Sequence, residues 1–290
     1  MGTQRASRTA VFVCQARAVA HGRLGVGRFD DPTALALLRD GERTRVERAR
    51  SGVEPKAWSQ RLDVELLTRQ AESMTARTVA IDDAVRAGAH PQVVILGAGL
   101  DGRAWRMPEL SGVAVFEVDH PASQQDKRER ATALDPAAGP PRFVPVDLTR
   151  AALGPALAGA GHHESLPTTW VLEGVIPYLT ESDVAATVAA VAARSAPGSR
   201  LVVSYATGSP RAALGRLLAR GFLRVTGREN PMAHEPRRSS WSPESLRAVL
   251  ASAGLQVLSD AGLVALADEL AVPTRQLGAS RVAVAVMPAT

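Results

Sequence analysis

Residues 92–103, Gln-Val-Val-Ile-Leu-Gly-Ala-Gly-Leu-Asp-Gly-Arg, carry the clearest chemical signal in the chain. The apolar run from Val93 to Leu96 reads as a buried strand. It stops at Gly97 and Gly99, and the chain can enter a helix from Gly102 on. Glycine lets a ligand approach the backbone, and a helix start offers free N–H groups, so the pattern fits a nucleotide-cofactor loop. A tight strand-to-helix turn would use the same glycines. Gly97, Gly99 and Gly102 also satisfy G-x-G-x-x-G, so the loop alone does not name its ligand.

Three acids follow at matching places. Val113 to Asp119 reads as a second strand ending in acids, and a carboxylate about 20 residues past the glycines can accept the ribose hydroxyls of an adenosine. Glu117 lies on the same side of that strand as Asp119, as its partner or as an edge charge. Asp147 ends a third strand (Phe143 to Val146), where it could take an adenine amino group or cap a helix. Glu173 ends the apolar run Trp170-Val-Leu, where a bare carboxylate is costly unless paired. A ligand ammonium would pair with it. Tyr178 follows within the same turn.

The elements that must position these residues alternate. Strands are expected at about 92–96, 113–118, 142–146, 168–173 and 200–205, with helices between them at about 102–110, 121–134, 150–160 and 181–194. Such alternation implies a parallel sheet with helices on both faces. Two further strands are expected at about 255–259 and 281–287, the last an antiparallel edge or near-edge strand. Ser242-Pro243-Glu244-Ser245 caps a helix running to Ser252. Upstream, residues 5–86 read as helical, with Asp31-Pro32 opening a short helix. The expected division is an N-terminal helical cap over 1–90 and an α/β domain over 91–290 carrying an insertion at 207–243.

Composition narrows the function classes. The chain has 290 residues, 46% of them hydrophobic, enough for a large core. Its apolar runs fall short of the roughly 18 residues of a membrane span, and Met1–Ala10 lacks the apolar region of a secretory signal. A cytoplasmic protein without a membrane partner is the expectation. The single cysteine, Cys14, excludes an internal disulfide framework and argues against a cysteine metal site. The formal charge of +5 is carried by arginines interspersed with acids, and aromatic content is 4%. No base-stacking platform or nucleic-acid partner is expected. His162-His163 reads as a solvated loop pair, without the further ligands a metal needs.

Taken in order, Arg77, Ile95-Leu-Gly-Ala-Gly-Leu-Asp101-x-Arg103, Phe116-Glu-Val-Asp119-x-Pro121, Val146-Asp147-Leu148 and Glu173-Gly174-x-x-x-Tyr178-Leu179 form a specific set. It resembles the leucine carboxyl methyltransferase-type family, and more closely that family's bacterial branch of S-adenosyl-L-methionine-dependent methyltransferases. Arg8-Thr9-Ala10 and Ala16-Arg17-Ala18 are similar to the same branch, and the likeness covers most of residues 7–205. It implies a class I methyltransferase (Rossmann-like) α/β fold with a seven-stranded, mostly parallel sheet. By resemblance, Arg77 binds the methionine carboxylate of the cofactor. The backbone of Gly97, Ala98 and Gly99 lines methionine and ribose, Asp119 holds the ribose hydroxyls, Asp147 with Leu148 contacts adenine, and Glu173 faces the amino end. Two positions depart from the family. Gly102 stands where threonine is frequent, which marks it as incidental. Thr149 stands where the family often has an arginine that helps bind the substrate carboxylate, which puts a protein C-terminal carboxylate in doubt as acceptor.

The expected reaction is in-line O-methyl transfer to a carboxylate or hydroxyl of a small molecule or peptide, as in secondary metabolism. Positioning alone supplies about 7–11 kcal/mol to such a step. A carboxylate needs no base, whereas a hydroxyl gains roughly 10²–10⁴-fold from one. Tyr178 is the best-placed helper, although a core aromatic fits equally well; His120 and His234 are further candidates. Segment 207–243, with Arg211, Arg216, Arg220, Arg237 and Arg238, reads as a lid over an acidic acceptor or as a solvated basic insertion. Two other readings compete. An NAD(P)-dependent oxidoreductase would use Gly97, Gly99, Gly102 and Asp119 but leaves Arg77, Asp147 and Glu173 without roles. A non-catalytic protein that binds an adenosyl cofactor or a partner on the same fold is the other.

Overall fold

The computed structural model describes residues 7–135, 139–148, 153–208, 238–273 and 277–289. The chain begins with helices α1 (Arg8–Ala20), α2 (Thr33–Ala36), α3 (Asp40–Arg50) and the long α4 (Trp58–Gly88). Strands and helices then alternate: β1 (Gln92–Leu96), α5 (Arg103–Arg106), β2 (Ala114–Asp119), α6 (Pro121–Arg130), β3 (Arg142–Pro145), α7 (Leu153–Gly159), β4 (Thr168–Leu172), α8 (Glu181–Ala192) and β5 (Arg200–Ala206). Beyond the insertion come α9 (Pro243–Ser252), β6 (Gln256–Gly262), α10 (Val264–Glu269) and β7 (Ser280–Val286).

The seven strands form one sheet in the order β3-β2-β1-β4-β5-β7-β6. β1 to β5 pair in parallel, and β7 runs antiparallel between β5 and β6. This is the expected seven-stranded, mostly parallel α/β sheet. It differs from the 3-2-1-4-5-6 order of dinucleotide-binding folds, which weighs against the nicotinamide alternative. β7 is a near-edge strand, and β6 forms the edge.

Both faces of the sheet are covered, which is why β1 and β4 are buried along their whole length without alternation. Their residues divide by parity. Val93, Ile95, Val115, Val171 and Val202 join one core together with α1, α3 and α4. Val94, Leu96, Phe116, Trp170 and Leu172 join a second core with α7, α8 and α9. The N-terminal helices therefore lie on the sheet itself.

Local boundaries have local causes. The helix expected over 102–110 divides at Met107 into α5 and a 3-10 turn, Pro108–Leu110, because Pro108 has no N–H to continue the ladder. α3 has a single buried residue, Val46, so its sequence shows no apolar period by which to delimit it. Asp31 caps the short α2 by accepting from Ala34 N–H at 3.0 Å, and Ser242 caps α9 as expected. Among the described residues no helix is long and apolar enough to cross a membrane.

Candidate active site

The carboxyl ends of β1, β2 and β4 open into a cleft of about 690 Å³, within the usual range for a small-molecule site. Its floor is the turn after β1. Gly97 has φ +65° and Gly99 φ +47°, left-handed conformations that favour glycine. A Cβ on Gly97 would stand 2.4 Å from Val175 Cγ2, and one on Gly99 would stand 3.0 Å from Ala10 Cβ. The glycines are thus required where the β4 loop and α1 close on the turn. Gly102 is not incidental: a Cβ there would lie 2.2 Å from Thr33 Oγ1. It lets α2 pack against the loop instead of shaping the cleft.

Asp119 is tied to that floor. Its Oδ2 accepts from Gly99 N–H at 2.5 Å and its Oδ1 from His120 N–H at 2.6 Å. Burial pushes its pKa up, against the pull of these two N–H groups. His120 has a local task, since its Nδ1 accepts from Ala122 N–H at the start of α6. Glu117 is neither an edge charge nor a cleft residue. It is fully buried, with Lys127 Nζ 2.5 Å from its Oε2.

The opposite wall is a chain of ion pairs. Glu173 Oε1 accepts from Arg77 Nε at 2.8 Å, and Glu173 Oε2 lies 2.9 Å from Arg103 Nη2. Arg103 is buried and also pairs with Asp82 at 2.8 Å and with Asp101. Asp82 continues to Arg106 at 2.7 Å, and Arg17 binds Asp31 at 3.1 Å and donates to the Leu100 carbonyl. Burial raises the Glu173 and Asp101 carboxyls, but the neighbouring arginines outweigh it and hold both below the usual range. The counter-charge that the sequence assigned to a ligand ammonium is supplied by the protein's own Arg77 and Arg103.

Arg77, Gly97, Ala98, Gly99, Asp119, Asp147, Leu148, Glu173 and Tyr178 all line this one cleft. Sequence reasoning did not place the first helix in the site, yet Arg8, Thr9 and Arg17 of α1 and its cap Ser7 also line the cleft; their one sequence signal was the likeness of Arg8-Thr9-Ala10 and Ala16-Arg17-Ala18. His234 and Arg237, with Arg211, Arg216 and Arg220, lie outside the described residues, as do Thr149 and Arg150. Arg238 is described and exposed; its N–H donates to the Pro177 carbonyl at 2.7 Å, beside Tyr178. Ser239 Oγ donates to the Ile176 carbonyl at 3.0 Å, so the chain re-enters from the insertion on the cleft rim. His162 is not solvated as expected. It is buried between Phe116 and Trp170 with Nε2 3.1 Å from Thr168 Oγ1, while His163 is exposed. Among the described residues no group of His, Cys, Asp and Glu could hold a metal ion.

Comparison with known proteins bears on the fold and the family. Two solved structures share the architecture over nearly the whole chain. One is a Thermobifida fusca protein titled "putative methyltransferase", with TM-score 0.54 and 16% identity over 95% of this chain and 94% of that one. The other is a Bordetella parapertussis protein, with TM-score 0.55 and 17% identity over 98% of each. Identity this low speaks for the fold alone. Relatives in sequence bear the name "Putative S-adenosyl-L-methionine-dependent methyltransferase". One from Mycolicibacterium vanbaalenii is 38% identical over 172 residues, 58% of this chain and 56% of that protein. One from Mycobacterium sp. strain JLS is 36% identical over 216 residues, 70% of this chain and 68% of that protein. The matched region is thus little more than half the length of the first relative. The family profile described as "Leucine carboxyl methyltransferase" matches residues 10–192, from α1 through the end of α8. With the glycine loop, Asp119, Asp147 and Glu173 all inside that span, the chain belongs to the leucine carboxyl methyltransferase family.

Proposed function

We propose that the protein transfers the methyl group of S-adenosyl-L-methionine to an oxygen, carboxylate or hydroxyl, of a small molecule or peptide. The observation that carries this reading is the convergence of Arg77, the Gly97–Gly99 turn, Asp119, Asp147 and Glu173 on one cleft at the carboxyl edge of the sheet. The residues suit the cofactor in charge and shape. Arg77 offers a guanidinium to a carboxylate, and Asp119 and Asp147 offer acceptors to ribose hydroxyls and an adenine amino group. The two glycines put the backbone of the turn on the cleft wall, with Val175 and Ala10 packed against it. The chemistry supplied by the bound cofactor is an electrophilic methyl on a sulfonium. The protein's part is to hold the acceptor in line, exclude water and, for a hydroxyl acceptor, remove its proton. Tyr178, half-buried on the turn after β4, is the group we assign to the acceptor side, and Arg238 lies on the rim next to it.

Calorimetry tests the cofactor class. S-adenosylhomocysteine and S-adenosyl-L-methionine bind and NADH does not; binding of NADH without S-adenosylhomocysteine overturns the reading. Asp119→Ala weakens S-adenosylhomocysteine by about 1.5–3 kcal/mol, the usual loss for a hydrogen bond to a charged group. Incubation with labelled cofactor and an acceptor panel then tests the acceptor. A label released by mild base marks a methyl ester, and a stable one marks an ether. A label found only on nitrogen or sulfur would sink the O-methyl assignment.

A further inference from the structure

We propose that the buried Arg103–Glu173 pair is a positioning device that aims Arg77 at the carboxylate of the cofactor's amino-acid end. The inference rests on the S-adenosyl-L-methionine reading above.

The geometry is that of a relay. Arg103 is 1% exposed and spreads its three guanidinium nitrogens over three carboxylates from three parts of the chain. Nε goes to Asp82 of α4, Nη1 to Asp101 of the glycine turn, and Nη2 to Glu173 after β4. Glu173 has one oxygen on Arg103 and the other on Arg77 Nε, at 2.9 and 2.8 Å. Its carboxylate therefore bridges a buried guanidinium and one that lines the cleft. An arginine fork fixed at Nε has its direction set, whereas a free arginine samples many rotamers. Gly174, with φ +70°, makes the left-handed turn that follows Glu173 beside the Arg77 fork. Ser204 Oγ accepts from Gly174 N–H at 3.0 Å and holds that turn in place.

The Glu173 arm of the relay reaches the amino-acid end of the cleft, and the Asp101 arm braces the glycine turn. None of the Arg103 contacts involves Asp119 or Asp147, the residues assigned to ribose and adenine. A purely structural ion-pair hub would affect every ligand alike. A positioning device loses only the ligands that carry the amino-acid carboxylate.

The test compares three probes. S-adenosylhomocysteine has the whole amino-acid end, 5′-methylthioadenosine has none of it, and a 5′-(carboxypropylthio)adenosine keeps the carboxylate without the amine. Arg103→Lys keeps one charge but loses the fork. Its expected effect is at least a tenfold loss for S-adenosylhomocysteine and for the carboxypropyl analogue, with 5′-methylthioadenosine unchanged within twofold. Glu173→Gln gives the same pattern, and the double variant loses little more than either single one. Should Arg103→Lys fail to fold, Glu173→Gln carries the test from the other side of the bridge. Equal losses for all three probes overturn the proposal, as does additive loss in the double variant. A Glu173→Gln loss confined to the probe bearing the amine also overturns it, because Glu173 would then hold the ammonium directly. If the wild-type protein binds none of the probes, the cofactor reading fails first and separately.

Discussion

At the scale of single residues, the glycines of the first turn do different work, and substitution separates them. Gly97 is left-handed and meets Val175. Gly97→Ala therefore carries a conformational cost of about 1 kcal/mol plus a clash, and S-adenosylhomocysteine affinity is expected to fall more than tenfold. Adding Val175→Ala removes the clash and restores part of the affinity; no recovery in the double variant would refute this account. Gly102 has φ −108°, open to any residue, so Gly102→Ala suffers only from Thr33 and is relieved by Thr33→Ala, read as recovered thermal stability. The sequence made the glycines and Asp119 legible because each sits at a strand end with a recognisable neighbour. It showed Arg103 only as a member of the ordered set and hid its role, because its partners Asp82 and Glu173 are distant in the chain and come together only in the fold. A motif shows the ligand-facing member of a constellation better than the buried member that holds it.

At the scale of elements, the strands β1 to β5 and β7 were readable to within a residue because most of them are largely buried, whereas the exposed β6 runs three residues past its expected end. What could not be read was which charged residue sits inside an element. Glu117 looks like an edge acid in the strand Phe116-Glu-Val-Asp119, yet α6 covers it and supplies Lys127, whose ammonium also lies 5.1 Å from the Trp105 ring. Burying such a pair costs several kcal/mol per ion before attraction returns it. Each single change, Glu117→Met or Lys127→Met, strands the other charge and is expected to cost about 3–5 kcal/mol in urea unfolding, while the double change is expected to be neutral or stabilising by about 1–4 kcal/mol. Equal or additive losses in all three variants would contradict this. The pH dependence follows the same pair. Burial, incompletely offset by Lys127, pushes the Glu117 carboxyl up to about 7 from 4.5. The folded state thus binds this proton more tightly than the unfolded one. Its contribution is fully present below 4.5 and is lost as pH rises through about 7. Relative to the double variant, the wild-type protein loses stability across that window, which melting curves at stepped pH will read.

At the scale of the whole molecule, the sequence reads as a helical segment followed by an α/β segment, but the first segment is one layer of the second. Its helices share a core with Val93, Ile95, Val115, Val171 and Val202, and α4 supplies Asp82 to both Arg103 and Arg106. Helical periodicity shows that α4 has an apolar side; it cannot show that this side lies on the sheet, because that contact is a property of the closed chain. The energetic consequence is large. Re-exposing five such side chains costs roughly 1.5–3 kcal/mol each, a sum comparable with the 5–15 kcal/mol that holds an ordinary domain together. Arg103 and Arg106 would lose Asp82 as well. A chain truncated to residues 91–290 is therefore expected to lack a cooperative urea transition and to bind S-adenosylhomocysteine undetectably, whereas adding residues 1–90 as a separate chain should recover part of both signals. If the truncated chain unfolds cooperatively near the full-length midpoint, the N-terminal helices are a detachable cap. The ion pairs from Asp82 to Arg103 and Arg106 would then be dispensable for the sheet, and their value would lie in the cleft alone.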